Sequence, residues 1–423
     1  MKSIEYVASG TSHTRILASA VFETPEVQKV INDYFKDLNG RNNHYFSLLF
    51  NAFTEKSFGP RFQEFYRDSL YTVHADSGGL QIVTQGRTIT PELKDQVYRT
   101  QSKYSDIAMC FDEIPINIMG DRSDRNDVFN RFFDKDNLEH YARETGKNIK
   151  RQIDIFLEEK TTAKPMIIAQ GNCYETYMAW VEYLLKEIPP SYLQHIGGIA
   201  MGAAALGTGT LEDIERAAYA TKLPFQMEEP YIHILGVGAI KRLLPYIALA
   251  KSGYYPPNLR LSYDSTTHTC GVSMGLYFLD GGLSINRTFD DTYITIYNDV
   301  NEKYDLASKG IDLKLFFELL NNNSSYYTDK VNIDKDKMLM YYAVQTGFIC
   351  SSIANFTYKI NNCLKSKQHL IDVADDNKVF LEINSLLNIN NLDDFLRWKN
   401  VFGNSTKSKR IRDDKPTTLE AFL

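Results

Sequence analysis

The chain has 423 residues, 43% of them hydrophobic and 24% charged, which excludes wholesale disorder and suffices for one barrel-type domain with an appendage or for two to three smaller domains. Its net charge of -6 gives no overall attraction to a polyanion, although a local basic face on an acidic protein can still hold phosphate. No apolar run approaches the ~20 residues that cross a bilayer, MKSIEYVASGTSHTR lacks the apolar core of a signal peptide, and five scattered cysteines (Cys110, Cys173, Cys270, Cys350, Cys363) fit reduced thiols, so a cytoplasmic protein without membrane contact is expected.

In chain order, RILASAVF (Arg15 to Phe22) reads as an early strand. From about residue 70 to 265, short apolar runs alternate with longer amphipathic ones, the pattern of repeating strand and helix units. Strands are expected in YTVHA (Tyr71 to Ala75), IAMCF (Ile107 to Phe111), PMIIAQ (Pro165 to Gln170), IGGIAMG (Ile196 to Gly202), YIHILGV (Tyr231 to Val237) and LRLSYD (Leu259 to Asp264). Between them, TPELKDQVYRTQSKY, DNLEHYARETGKNIKRQIDIFLEEK, YETYMAWVEYLLKEI, TLEDIERAAYATKL and GAIKRLLPYIALAKS carry apolar residues at three and four residue spacing, so each is expected to be a helix burying one face. LYFLDGGLSINRT suits a hairpin around Gly281 and Gly282. Beyond it, EKYDLASKGIDLKLFFELLNNNSSYYTDK, MLMYYAVQTGFICSSIANFTYKINNCLK and SLLNINNLDDFLRWKNVF read as helical with Asn-rich connectors, before a polar tail with Lys407, Lys409, Arg410 and Arg412.

An open doubly wound sheet shares this local pattern. The polar residues favour an eightfold barrel: Asp76, Asp112, Gln170 and Asp264 each follow the carboxyl end of an expected strand, where a barrel of this type builds its active site. The expected fold is therefore α/β, a (β/α)8 TIM-type barrel over residues 1–300, with a C-terminal helical region and basic tail over 301–423.

Such a rim offers a purine a matching set of groups. A carboxylate accepts from the N1–H and exocyclic amine of guanine, and an amide side chain or backbone N–H donates to its O6. Asp112, Gln170 and the backbone around Gly197 and Gly198 fit those roles, with Ser77 adding a hydroxyl. Asp264 is then free to attack a sugar carbon, and Asp76 to exchange protons with the departing and arriving bases. Phe111 or Tyr263 could stack on an extracted base. Each string alone has a plainer reading: DSGG is a ready turn, Asp112 a helix cap, His74 and His195 structural histidines, and the basic cluster a solvated tail.

Taken together, DSGGLQ (Asp76 to Gln81), FDE (Phe111 to Glu113), AQG (Ala169 to Gly171), GGIAMG (Gly197 to Gly202), ILGVG (Ile234 to Gly238) and SYDS (Ser262 to Ser265) resemble, in order and approximate spacing over about half the chain, the tRNA-guanine transglycosylase superfamily. The resemblance implies a barrel that exchanges guanine in a nucleic acid for a 7-deazaguanine base. By position it makes Asp264 the nucleophile and Asp76 the general acid and base, and places Ser77, Asp112, Gln170 and Gly198 against the base, with His195 close to the glycine pair.

Two departures stand out. The tRNA enzymes carry a Cys-x-Cys-x-x-Cys cluster and a later histidine for structural zinc; here only His268, Cys270, Cys350, Cys363 and His369 follow the nucleophile, at unmatched spacing, so no metal or other cofactor is expected. Ala203 stands where the family has a glutamate. A relative without the zinc cluster looks more like the DpdA type of DNA-guanine transglycosylase of bacterial modification clusters and phages, which implies insertion of preQ0 or a derivative into DNA and protection from restriction. The partners this implies are DNA, a free 7-deazaguanine base and a duplex-opening or accessory protein. The basic cluster at 407 to 412 would contact phosphates. Three alternatives stay open: a tRNA-guanine transglycosylase of the queuosine or archaeosine type, a non-catalytic nucleic-acid-binding subunit, and a barrel hydrolase acting on nucleosides.

Overall fold

The computed structural model describes residues 4–9, 47–54, 72–79, 88–118, 131–202, 210–219, 230–265, 276–279, 282–285, 305–315 and 353–403, with isolated positions between them. In chain order the strands are β1 (Ile4–Ala8), β2 (Ser47–Asn51), β3 (Val73–Asp76), β4 (Ile107–Met109), the short antiparallel pair β5 (Ile116–Ile118) and β6 (Arg131–Phe133), then β7 (Lys164–Ala169), β8 (Gly198–Met201), β9 (Tyr231–Ile234) and β10 (Arg260–Ser265). Eight of them close into a barrel in the order β1, β10, β9, β8, β7, β4, β3, β2, every neighbouring pair parallel. This is the α/β architecture of a TIM-type barrel.

Six barrel strands fall on the apolar runs singled out above. The other two, β1 (IEYVA) and β2 (SLLFN), are shorter apolar runs interrupted or ended by Glu5, Ser47 and Asn51. The Arg15 to Phe22 candidate lies outside the described residues.

The helices α1 (Pro91–Tyr104), α2 (Leu138–Glu158), α3 (Tyr174–Leu185), α4 (Thr210–Tyr219) and α5 (Ile240–Ser252) connect the strands. α1 starts where its sequence says it should: Pro91 fills the first turn, and the Thr90 hydroxyl accepts from the Leu93 N–H at 3.3 Å. α2 shows what its apolar stripe is for, burying Leu138, Ile149, Ile153 and Phe156 at roughly 1.5–3 kcal/mol each. α5 stops at Gly253, whose φ of 86° gives the left-handed cap that glycine adopts without strain.

β11 (Leu276–Leu279) and β12 (Gly282–Ile285) form the expected hairpin, Leu279 opposite Gly282 across an Asp-Gly link. Residues 305–310 were expected to be helical and instead make turns, with Asp305 and Gly310 at φ 51° and 76°. Farther on come a helical stretch at 353–365, α6 (Lys367–Asp376), α7 (Phe380–Leu386) and α8 (Leu392–Trp398). The 353–365 stretch lies on the outside of β1 and β10: Phe356 packs on Tyr263 at 6.1 Å between centroids, and Asn361 Oδ1 accepts from the Ile4 N–H at 3.2 Å. The end of α5 is fastened to the same region, Lys251 Nζ donating to the Leu364 carbonyl and Ser252 Oγ to that of Ile389. Among the described residues no helix is long and apolar enough to cross a membrane.

Candidate active site at the barrel mouth

Because all eight barrel strands are parallel, their carboxyl ends share one rim. β3 ends there on Asp76, followed by Ser77, Gly78 and Gly79. The turn is tight: the Gly78 N–H donates to Asp76 Oδ2 at 3.2 Å, and Gly78 sits at φ 80°, where an added Cβ would stand 2.7 Å from Asn51 Oδ1. Only glycine fits that position. Gly79 faces the site instead; a Cβ there would lie 3.6 Å from Asp112 Oδ1 and 3.7 Å from Ser77 Oγ.

Asp112 follows β4 and is buried, as is Gln170 at the first position after β7. Gln170 Nε2 donates to Asp112 Oδ2 at 2.6 Å, the amide orientation that pairs a donor with the carboxylate. Gln170 Oε1 is left buried without a hydrogen-bond partner. Asp264, the fifth residue of β10, is the most heavily coordinated acid. Its Oδ1 accepts from the Gly236 N–H at 2.8 Å and faces His233 Nε2 at 3.3 Å; its Oδ2 accepts from Ser9 Oγ at 2.9 Å.

Burial raises Asp76 to about 6, helped by the negative charge of Asp264 close by. Burial raises Asp112 further, to about 7; the Gln170 hydrogen bond opposes that rise and the charge of Asp76 adds to it. Two carboxyls at this rim thus exchange protons near neutrality, a property of groups that do acid and base work.

The glycine pair is a correction. Gly197 and Gly198 stand at the amino-terminal end of β8, and register explains why they cannot reach the rim. Gly198 is opposite Met166, three residues before Ala169, and a Cβ on it would meet the Tyr231 carbonyl at 2.4 Å, while one on Gly197 would meet Lys164 Cβ at 2.4 Å. Three residues of strand are about 10 Å. His195, in the short helical turn before β8, contacts Tyr192 and Gln194 at that same far end. The glycine that does reach the site is Gly202, just past β8, where a Cβ would collide with the Gln170 amide at 2.4 Å and whose carbonyl accepts from the Tyr177 hydroxyl.

Neither proposed stacking ring is at the mouth. Tyr263 alternates with Asp264 and so points outward, onto Tyr6 and Phe356, and Phe111 is buried edge-on against Tyr98. Lys407, Lys409, Arg410 and Arg412 lie outside the described residues.

No family model and no curated protein matches this sequence.

Among the described residues, the groups placed closely enough to share a metal ion are Cys173, Glu175 and Glu215, on the outer helices. The Lys399 ammonium already serves these acids, bonded to Glu175 and 3.6 Å from Glu215, and the cluster reads as an anchor for the C-terminal helices. Of the histidines and cysteines weighed for zinc in the sequence, His268, Cys270 and Cys350 lie outside the described residues.

The sequence reading missed Ser9, Gly202, Gly236 and above all His233. One signal was available. In YIHI and RLSYDS the polar residues Tyr231, His233, Arg260, Ser262 and Asp264 recur at every second position, which in a strand is one face.

Proposed function

We propose that this protein is a guanine transglycosylase acting on DNA, which replaces guanine by a 7-deazaguanine base such as preQ0 through a covalent Asp264 intermediate. The observation that carries it is the meeting of three acids at one rim, Asp112 and Asp264 buried and Asp76 partly so, each in a different setting: Asp264 held by three polar neighbours, Asp76 raised toward neutrality, and Asp112 joined to an amide.

The groups divide the work as follows. Asp112 accepts from the N1–H and exocyclic amine of the base, which frees the Gln170 amide to donate to O6, and Gly79 and Gly202 leave room for the flat ring. An Asp264 oxygen attacks C1′ of the nucleotide; the C1′–N9 bond breaks, its electron pair stays on the departing guanine, and Asp76 supplies that base with a proton. The incoming base then gives its N9 proton to Asp76, its nitrogen attacks C1′, and Asp264 leaves as a carboxylate, so that protons and bonds balance over the cycle. A duplex hides C1′ from a site inside a barrel rim, so the nucleotide must be extruded, at a cost on the order of a few kcal/mol.

The choice of DNA rests on sequence resemblance to the DpdA type, and tRNA remains the competing polymer. The test offers labelled guanine or preQ0 with DNA or with tRNA, to wild type and to Asp264→Asn. Label is expected in DNA, with a loss of at least ~10³-fold in the variant. Label in tRNA alone would overturn the polymer assignment; unchanged incorporation by the variant would overturn the chemistry.

A further inference from the structure

The interiors of eight-stranded barrels are filled mostly by branched apolar side chains. Here one side of the interior is polar from end to end. Starting at Asp264, His233 Nε2 lies 3.3 Å from Oδ1, and His233 Nδ1 lies 2.7 Å from Ser262 Oγ. Ser262 Oγ is 2.7 Å from the Tyr231 hydroxyl, which is 3.2 Å from His74 Nε2. His74 Nε2 is in turn 3.3 Å from Thr72 Oγ1. Thr72 donates to Glu5 Oε1 at 2.8 Å, and Arg260 closes the far end on Glu5 Oε2 at 2.7 Å.

The direction of each bond follows from counting protons. A hydroxyl has one: Thr72 gives its proton to Glu5 in a cluster that Ser47 shares, and His74 Nδ1 is buried without a partner, so the arrangement that strands no donor puts the His74 proton on Nε2. Tyr231 therefore cannot donate to His74 and gives its proton to Ser262. Ser262 gives its own to His233 Nδ1. That nitrogen is then bare, and the proton of the imidazole is on Nε2, aimed at Asp264. Burial, with His233 and Arg260 nearby, holds His74 well below the usual histidine range, in keeping with a neutral ring whose Nδ1 has no partner.

We infer that His233 is a positioning residue for the Asp264 nucleophile, locked as the neutral Nε2–H tautomer by a one-way hydrogen-bond chain through the barrel interior that ends on the Glu5–Arg260 pair. The inference rests on Asp264 being the nucleophile. A neutral donor fixes the plane of the carboxylate and eases its departure in the second half of the reaction. An imidazolium would instead hold it in an ion pair and blunt its attack. The chain opposes that state, because a proton on Nδ1 would require Ser262 and Tyr231 to reverse and the His74 proton to move to its partnerless Nδ1. The charged and titratable groups beside His233 are Asp264 on β10 and His74 on β3, with Asp76 on β3 within electrostatic reach, and Tyr231, Arg260 and Glu5 stand farther along the hydrogen-bond chain.

The experiment joins two readouts on the full chain. Nitrogen-15 NMR of labelled histidines is expected to show the His233 proton on Nε2 in the wild type, and Ser262→Ala is expected to give a mixture of the two tautomers. In base exchange, His233→Leu is expected to lower kcat by about 10- to 100-fold with KM for the nucleic acid unchanged, and His233→Gln, which retains a donor, to recover part of the loss. An Nδ1–H tautomer or an imidazolium in the wild type at neutral pH would overturn the chain whether or not any variant folds. Equal loss in the Gln and Leu variants would overturn the positioning role. An Nε2–H tautomer in a wild type that exchanges no base would refute the transglycosylase reading, and the nucleophile's positioning with it, while leaving the hydrogen-bond direction standing.

Discussion

Asp112 is where substrate recognition and protonation meet. A carboxyl raised to about 7 is mixed in charge at neutral pH, whereas in the proposed reaction guanine presents donors to it and would bind its ionised form. Binding must therefore release a proton below pH 7, and the Kd of guanine is expected to fall by roughly tenfold between pH 6 and pH 8, then level off. Isothermal titration in buffers of different ionisation enthalpy measures both the affinity and the released proton, and a flat profile would remove Asp112 from the base contacts. The residue scale also shows what a sequence can mislead about. The string GGIAMG carries the family resemblance, yet in the barrel its glycine pair opens β8, and the glycine against Gln170 is the one that closes the string. Strand polarity decides this, and the spelling of a motif does not contain it.

Among the elements, β3, β4, β7, β8, β9 and β10 were legible because each buries an outward face under helices and reads as an apolar run. β1 and β2 were not, for the same reason that the interior chain was not. Glu5 and Ser47 face the barrel interior, where polar residues are unexpected, and their partners Arg260 and Thr72 lie far off in sequence. Long-range pairing of this kind leaves no local signature. The C-terminal helices are attached by contacts that are equally non-local: Phe395 packs on Tyr174, and Lys399 reaches Glu175 and Glu215. Glu215 is buried and keeps the hydrogen bond from the Tyr174 N–H, so removing the ammonium weakens its setting without isolating it, and Lys399→Ala is expected to destabilise the protein by about 1 to 3 kcal/mol. Chemical denaturation measures it, and a change within 0.5 kcal/mol, as for an ordinary surface site, would show that the anchor does not hold.

At the scale of the whole molecule, the site opposes stability. Asp76 and Asp112 are both raised on folding, so the folded state holds their protons more tightly than the unfolded chain does. Their favourable contribution is complete below the unfolded value near 4 and is lost as pH rises through about 6 and 7. Asp76→Asn and Asp112→Asn remove the titrating groups, and each is expected to gain about 1 to 3 kcal/mol of stability relative to wild type between pH 5 and pH 8, while losing activity. Thermal melts at the two pH values check the sign; a wild type that gains on the variants as pH rises would contradict it.

All of these proposed roles converge on a bond between Asp264 and C1′. The most direct measurement incubates the protein with DNA in the absence of an acceptor base, then looks under denaturing conditions for a protein–DNA adduct and locates it by mass spectrometry. The reading predicts an adduct on Asp264 that disappears on addition of guanine or preQ0 and never forms with Asp264→Asn. An adduct on another residue, or base exchange by a protein that forms no adduct with either DNA or tRNA, would contradict it.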